Sequence, residues 1–176
     1  MTFSASFELT RGQKYERRKI KHALGFFELL VLSFGDETLT TKLHANAKLI
    51  QDFRIALDNG RSHSLIVDQP GEMSPGLGAT PLELCVMSHA GCYATILALV
   101  AKRMRIDLKG LTVEVVAVKT AEAGTITEEA FDIAIKADAP ADRIKRLHEV
   151  TLKNCPVGII FEKTSAKISY NLKVLH

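Results

Sequence analysis

Tryptophan is absent from this chain, and aromatic residues make up only 6% of it. That scarcity argues against a carbohydrate or ring-stacking site. Charge of one sign is also missing as a bulk feature, since the formal net charge is only +3. No dense Lys/Arg stripe interleaves with stacking aromatics, so no nucleic-acid partner is expected. Cysteine is sparse and odd in number: Cys85, Cys92 and Cys155. Three thiols do not make a secreted disulfide framework. A reducing, cytoplasmic setting is therefore expected, where a paired cysteine is more often catalytic than structural. Several signatures are missing too. There is no G-x-S-x-G, P-loop or G-x-G-x-x-G, and Gly76-Leu77-Gly78 lacks a following glycine at the required spacing.

What is present fits one globular domain with an appendage. Of the 176 residues, 47% are hydrophobic and 24% charged, enough apolar material for a core without staples. Residues 1–42 read as an N-terminal extension of unclear role and residues 43–176 as the main domain. In the extension, Phe3, Ala5, Phe7 and Leu9 alternate as in a half-buried strand. Residues 11–21 then carry basic charge and 23–34 are apolar, a loose imitation of a secretory leader. Glu28 interrupts the apolar stretch and no small-residue cleavage site follows, so a cleaved leader is not expected. Residues 84–101 contain no charged side chain, which is a membrane-spanning length. Yet Ser88, His89, Gly91, Cys92, Tyr93 and Thr95 are costly in lipid. A helix buried in protein is the better reading, with no membrane partner.

The main domain alternates strands and helices. Phe53, Ile55 and Leu57 alternate with polar or smaller residues, Asp58-Asn59-Gly60 is a turn signal, and residues 64–67 return, so 49–68 should form a hairpin. Thr80-Pro81-Leu82-Glu83 reads as a capping box with proline at the first helical position. The helix it opens should run to about Arg105. It is apolar on all sides and must be covered on all sides, from which a homodimer is inferred. Gly110 should mark its exit. Two Val- and Ile-rich strands follow, 111–119 and one around Phe131, joined by a turn at Ala123-Gly124. Asp138 can cap a second helix with a buried stripe of Ile144, Leu147 and Thr151 and a Lys145–Glu149 pair; Pro156 stops it. Residues 166–174 form the final strand.

Chemistry, if there is any, falls to the thiols. Gly91 in mid-helix costs about 1 kcal/mol relative to Ala, which close approach of another backbone or a substrate would explain. The adjacent Cys92 is either a small core hydrophobe or a nucleophile, and spacing alone favours the former. Cys155, before Pro156, falls near a helix N-cap, where N–H groups and the dipole lower a thiol's pKa. Cys85 cannot bridge Cys92, because seven residues span about 10 Å of helix; it reads as core. His89, one turn before Cys92, could join Cys92 and Cys155 on a metal, but no CxxC or HxxxH pair supports a zinc site. No metal and no cofactor are expected.

Taken together, Gly78-Ala79-Thr80-Pro81-Leu82-Glu83-Leu84, Ala90-Gly91-Cys92, Asn154-Cys155-Pro156-Val157 and the closing Ala166-Lys167-Ile168-Ser169-Tyr170 resemble the OsmC/Ohr family (osmotically inducible protein C and organic hydroperoxide resistance proteins). The resemblance spans roughly residues 45–175 and is closest to an OsmC-like branch. It implies an α+β OsmC-like fold, with a long buried central helix and a second helix packed on antiparallel sheets, in an intertwined homodimer. It also implies a cysteine-based peroxidase acting on organic hydroperoxides or hydrogen peroxide. In that scheme Cys92 is peroxidatic, Cys155 resolving, and an external dithiol the reductant. The hydroperoxide-resistance branch has an acid directly after the proline. Here that place is Leu82, and Glu83 reads better as the capping acid. Arg54, with Arg61 second, is the nearest match to a thiolate-stabilising arginine. Arg54, Glu83 and His89 are the candidate supporting residues. The alternative is a non-catalytic OsmC-like protein that binds a small hydrophobic ligand at the dimer interface.

Overall fold

A computed structural model describes residues 41–71 and 74–175. The expectations placed on residues 3–9, 11–21 and 23–34 lie outside the described residues, as does the extension 1–42 apart from its last two positions. The class is α+β, as read: two three-stranded sheets and three helices.

The first sheet has the order β1 (Asn46–Gln51), β2 (Arg54–Asp58), β3 (Ser64–Val67), all antiparallel. The expected hairpin is β2–β3. Asp58 accepts the Gly60 N–H at 2.7 Å, and Gly60 takes φ +69°, a backbone state that glycine adopts without strain. β1 was not foreseen, because every one of its residues is exposed in the chain and its sequence lacks a clean alternation. The segment after β3 runs back along it, with Asp68 N–H donating to the Ala79 carbonyl at 3.2 Å. Gly78 permits this approach: a Cβ there would lie 2.4 Å from the Ile66 carbonyl oxygen.

Helix α1 (Pro81–Arg103) begins as predicted. Thr80 Oγ1 accepts from Glu83 N–H at 3.2 Å, and Glu83 Oε2 accepts from Thr80 N–H at 2.6 Å. It ends two residues early. Arg105, at φ +54°, turns the chain, and Ile106 N–H closes on the Ala101 carbonyl at 2.9 Å, satisfying a terminal acceptor while burying Ile106. Coverage of α1 by the described residues is partial. His89, Tyr93, Ile96, Leu97, Val100 and Ala101 are buried, but Met87 is 59% exposed and Cys85, expected in the core, is exposed as well. One face of the helix is therefore uncovered within the chain.

The second sheet joins β4 (Leu108–Lys119) to β5 (Ile126–Ala137) as an antiparallel hairpin. Gly110 lies inside β4 beside a register shift rather than marking a helix exit. β6 (Lys167–Leu175) lies parallel to β5. The sheet is thus mixed, a correction to the antiparallel expectation. A parallel return needs a crossover of a dozen residues or more, which α2 (Ala141–Asn154) and α3 (Pro156–Glu162) supply. α2 buries Ile144, Leu147 and Thr151 as read, but Pro140 occupies its N-cap position, and Glu149 pairs with Arg146 at 3.2 Å rather than with Lys145. The core lies between α1, α2 and the inward face of β5, where Phe131, Ile133 and Ile135 are fully buried. The first sheet has no comparable packing against these elements.

Candidate functional site

The crossover brings the two distant cysteines together. Cys92 sits on α1 at the edge of the core, and Cys155 forms the junction between α2 and α3. Their sulfurs are 3.2 Å apart, although 63 residues separate them in sequence. Both are free thiols. Cys92 is half-buried and Cys155 only 1% exposed, so an incoming molecule meets Cys92 first.

Proline at the first position of α3 leaves Cys155 at the N-cap, as expected, and its sulfur accepts the Gly158 N–H at 3.4 Å. The predicted electrostatic outcome is reversed. Burial is the largest influence and pushes the Cys155 thiol up to about 11; the N–H groups of Gly158 and Val157 oppose it without prevailing, and the neighbouring Cys92 pushes it up further. A short, partly desolvated helix terminus cannot offset the cost of charging a sulfur inside the core. Cys155 therefore holds its proton at neutral pH and directs its S–H at the Cys92 sulfur.

The supporting candidates divide. Glu83 is exposed and committed to the capping box, whose Thr80 hydrogen bonds hold its carboxyl below the usual range. Arg54 faces Asp68, with Nε 3.5 Å from the carboxylate, an ionic contact without hydrogen-bond geometry. Buried Asp68 is the organiser here. It accepts from the Ser74 hydroxyl at 2.5 Å and from the N–H groups of Gln69 and Leu77, which hold its carboxyl low. The described contacts of Arg54 include neither sulfur. Nor does Gly91 show the expected close neighbour: a Cβ there would meet nothing within 4 Å among the described residues.

His89 does join the site. Its Nδ1 lies 2.7 Å from Glu129 Oε2, both side chains being buried. The ring stacks on Phe161 of α3 and meets Phe131 edge-on, each at 4.7 Å between centroids. Gly158 completes the packing, since a Cβ there would lie 3.2 Å from His89 Nε2 and 3.3 Å from Cys155 Sγ. Among the described residues, no group of three or more His, Cys, Asp or Glu side chains is arranged to hold a metal.

Glu129 and Gly158 were missed from sequence. For Glu129 a signal existed. It shares the parity of Phe131, Ile133 and Ile135, so strand alternation places its carboxylate on the core face of β5. A charge at such a position must be paired. Gly158 carried no comparable mark.

This fold, with its facing thiols, defines the class. The OsmC-like protein family profile matches residues 74–171, and the chain belongs to that family. Solved structures share the fold. An OsmC-like protein from Mycoplasma pneumoniae superposes with a TM-score of 0.70 at 19% identity, covering 78% of this chain and 100% of that one. An organic hydroperoxide resistance protein from Elizabethkingia anophelis gives 0.61 at 18% identity, covering 78% and 97%. The organic hydroperoxide resistance protein OhrB of Bacillus subtilis gives 0.52 at 18% identity, covering 77% and 98%. No curated protein matches the sequence significantly.

Proposed function

We propose that this protein is a thiol-dependent peroxidase reducing organic hydroperoxides or hydrogen peroxide. The observation that carries this reading is the 3.2 Å approach of an accessible Cys92 sulfur to a buried Cys155 sulfur. In the first step the Cys92 thiolate attacks the peroxide. The O–O bond breaks, Cys92 becomes a sulfenic acid, and the alkoxide leaves and takes a proton from solvent as the alcohol. In the second, the Cys155 sulfur displaces the sulfenic hydroxyl as water and a disulfide forms. An external dithiol then reduces the disulfide and is itself oxidised. Burial fits Cys155 for the second role, because a protonated, enclosed thiol is a poor first nucleophile. The relatives of similar fold that are named organic hydroperoxide resistance proteins fit a peroxide-related role.

The working unit in this reading is a homodimer. Leu49, Ile50, Leu65 and Ile66 on the first sheet, Phe53 in its β1–β2 turn, and Met87 and Leu99 on α1 are exposed apolar side chains that a second copy would cover. Cytoplasmic residence follows from unpaired thiols that must be kept reducible.

Thiol titration before and after one equivalent of cumene hydroperoxide tests the reading. Two thiols should be lost per chain and only Cys85 remain titratable, with Cys92→Ser abolishing the loss. Unchanged thiols in the wild type would refute it.

A further inference from the structure

The mechanism above leaves one buried ionisable pair unused. His89 lies one helical turn before Cys92 on α1, Glu129 reaches it from β5, and a core that needed only volume would have apolar side chains there. Their arrangement has a direction. A carboxylate only accepts hydrogen bonds, so the Glu129 contact calls for an N–H on Nδ1, and a neutral imidazole in that tautomer carries its lone pair on Nε2. That Nε2 faces Gly158. It and Cys155 Sγ both lie within 3.3 Å of the point where a Gly158 Cβ would stand, so the nitrogen and the sulfur converge on one space kept open by the missing side chain. Stacking on Phe161 and edge contact with Phe131 fix the ring in that orientation. Glu129 Oε1 has no hydrogen-bond partner among the described residues. An acid that orients a base, and a base that faces a thiol, is the arrangement by which a weak nucleophile is activated.

We propose that His89, oriented by Glu129, accepts the Cys155 proton as the Cys155 sulfur attacks the sulfur of Cys92. This rests on the thiol reading above and assigns the step that reading leaves without a base. The need is chemical: Cys155 keeps its proton at neutral pH, yet only its thiolate can form the disulfide. The proton passes from Cys155 to His89 Nε2. It then goes to the departing hydroxide of the Cys92 sulfenic acid, which leaves as water. The S–S bond forms, the S–O bond breaks, and the imidazole ends neutral. Glu129 acts through His89 and is a positioning residue. The other titratable groups around the pair are Cys92 from α1, Cys155 and Glu162 from the crossover and Tyr170 from β6, with His148 of α2 reached through Tyr93. Glu129 is the one that contacts the ring nitrogen.

The test bypasses peroxide, so its failure is distinct from failure of the peroxidase reading. In full-length protein carrying Cys85→Ser, dithiodipyridine converts Cys92 to a mixed disulfide and releases one thiopyridone. Cys155 then displaces the second, which is read by absorbance, and Cys155→Ser abolishes that release. In His89→Gln the first release should be unchanged. The second should slow by about 10²-fold at neutral pH and climb with pH more steeply than in the wild type. Glu129→Gln, which keeps the packing volume, should give an intermediate rate and the same steepened profile, and decides the question alone if His89→Gln does not fold. A wild-type rate and profile in either variant overturns the proposal. So does a slower release whose profile keeps the wild-type shape, because that marks a misplaced sulfur rather than a missing base.

Discussion

Gly158 is the tightest point of the site, and Gly158→Ala tests the packing behind the thiols. The added Cβ would stand 3.2 Å from His89 Nε2 and 3.3 Å from both Cβ and Sγ of Cys155. None of these neighbours can retreat freely. The His89 ring is stacked on Phe161 and tied to Glu129 at 2.7 Å, while Cys155 is fixed by its place as the N-cap of α3. Overpacking of this kind costs about 1–3 kcal/mol. Against it stands the helix preference for Ala over Gly, at most about 1 kcal/mol and less in a first turn. The net loss should be about 1–2 kcal/mol. In urea the midpoint should fall by about 0.5–1 M with the slope unchanged. The same displacement moves the Cys155 sulfur, so disulfide formation after oxidation should slow in parallel. A midpoint at or above that of the wild type would show that the neighbours yield, and would refute the claim that Gly158 is required by contact.

Three further outcomes are expected. Thr80→Ala should cost about 1 kcal/mol of stability by removing the α1 cap, while thiol loss on peroxide addition stays unchanged; a loss of thiol chemistry would return Glu83 to the site. Raising pH should destabilise the fold through Cys155. Its folded-state pKa lies above the ordinary 9.0, at about 11, so the contribution is complete below 9.0 and is lost as pH climbs through 11. The urea midpoint should fall in that window, and Cys155→Ala should flatten that part of the profile. Gly91→Ala meets no neighbour among the described residues, and in the homodimer proposed above a second copy would pack there. Sedimentation should show weaker self-association in this variant. Unchanged association with stability higher by about 1 kcal/mol would place Gly91 outside the interface.

Local chemistry was legible wherever a short stretch of chain decides its own shape. The α1 capping box, the Asp58-Asn59-Gly60 turn, the Ala123-Gly124 turn and the buried stripe of α2 all depend on neighbours within a few residues. In each the residue type and the conformation agree. The family pattern around Cys92 and Cys155 was legible for the same reason. What failed was the environment. Cys155 sits at the predicted N-cap, yet burial, which no local pattern reports, outweighs the helix terminus and raises its pKa. Arg54 was placed by loose alignment and is engaged by Asp68, a residue the local reading left as the end of a strand.

By itself, then, the sequence determined most of the strands and helices, though not β1, where α1 begins, and which two thiols are candidates, because these rest on spacing and turn chemistry. Only the tertiary structure decided that the two sulfurs meet, since a separation of 63 residues is closed by the packing of α2 and α3 against α1. It also decided which thiol is enclosed, and it placed a buried His89–Glu129 pair behind them, because desolvation and non-local contact are properties of the packed chain.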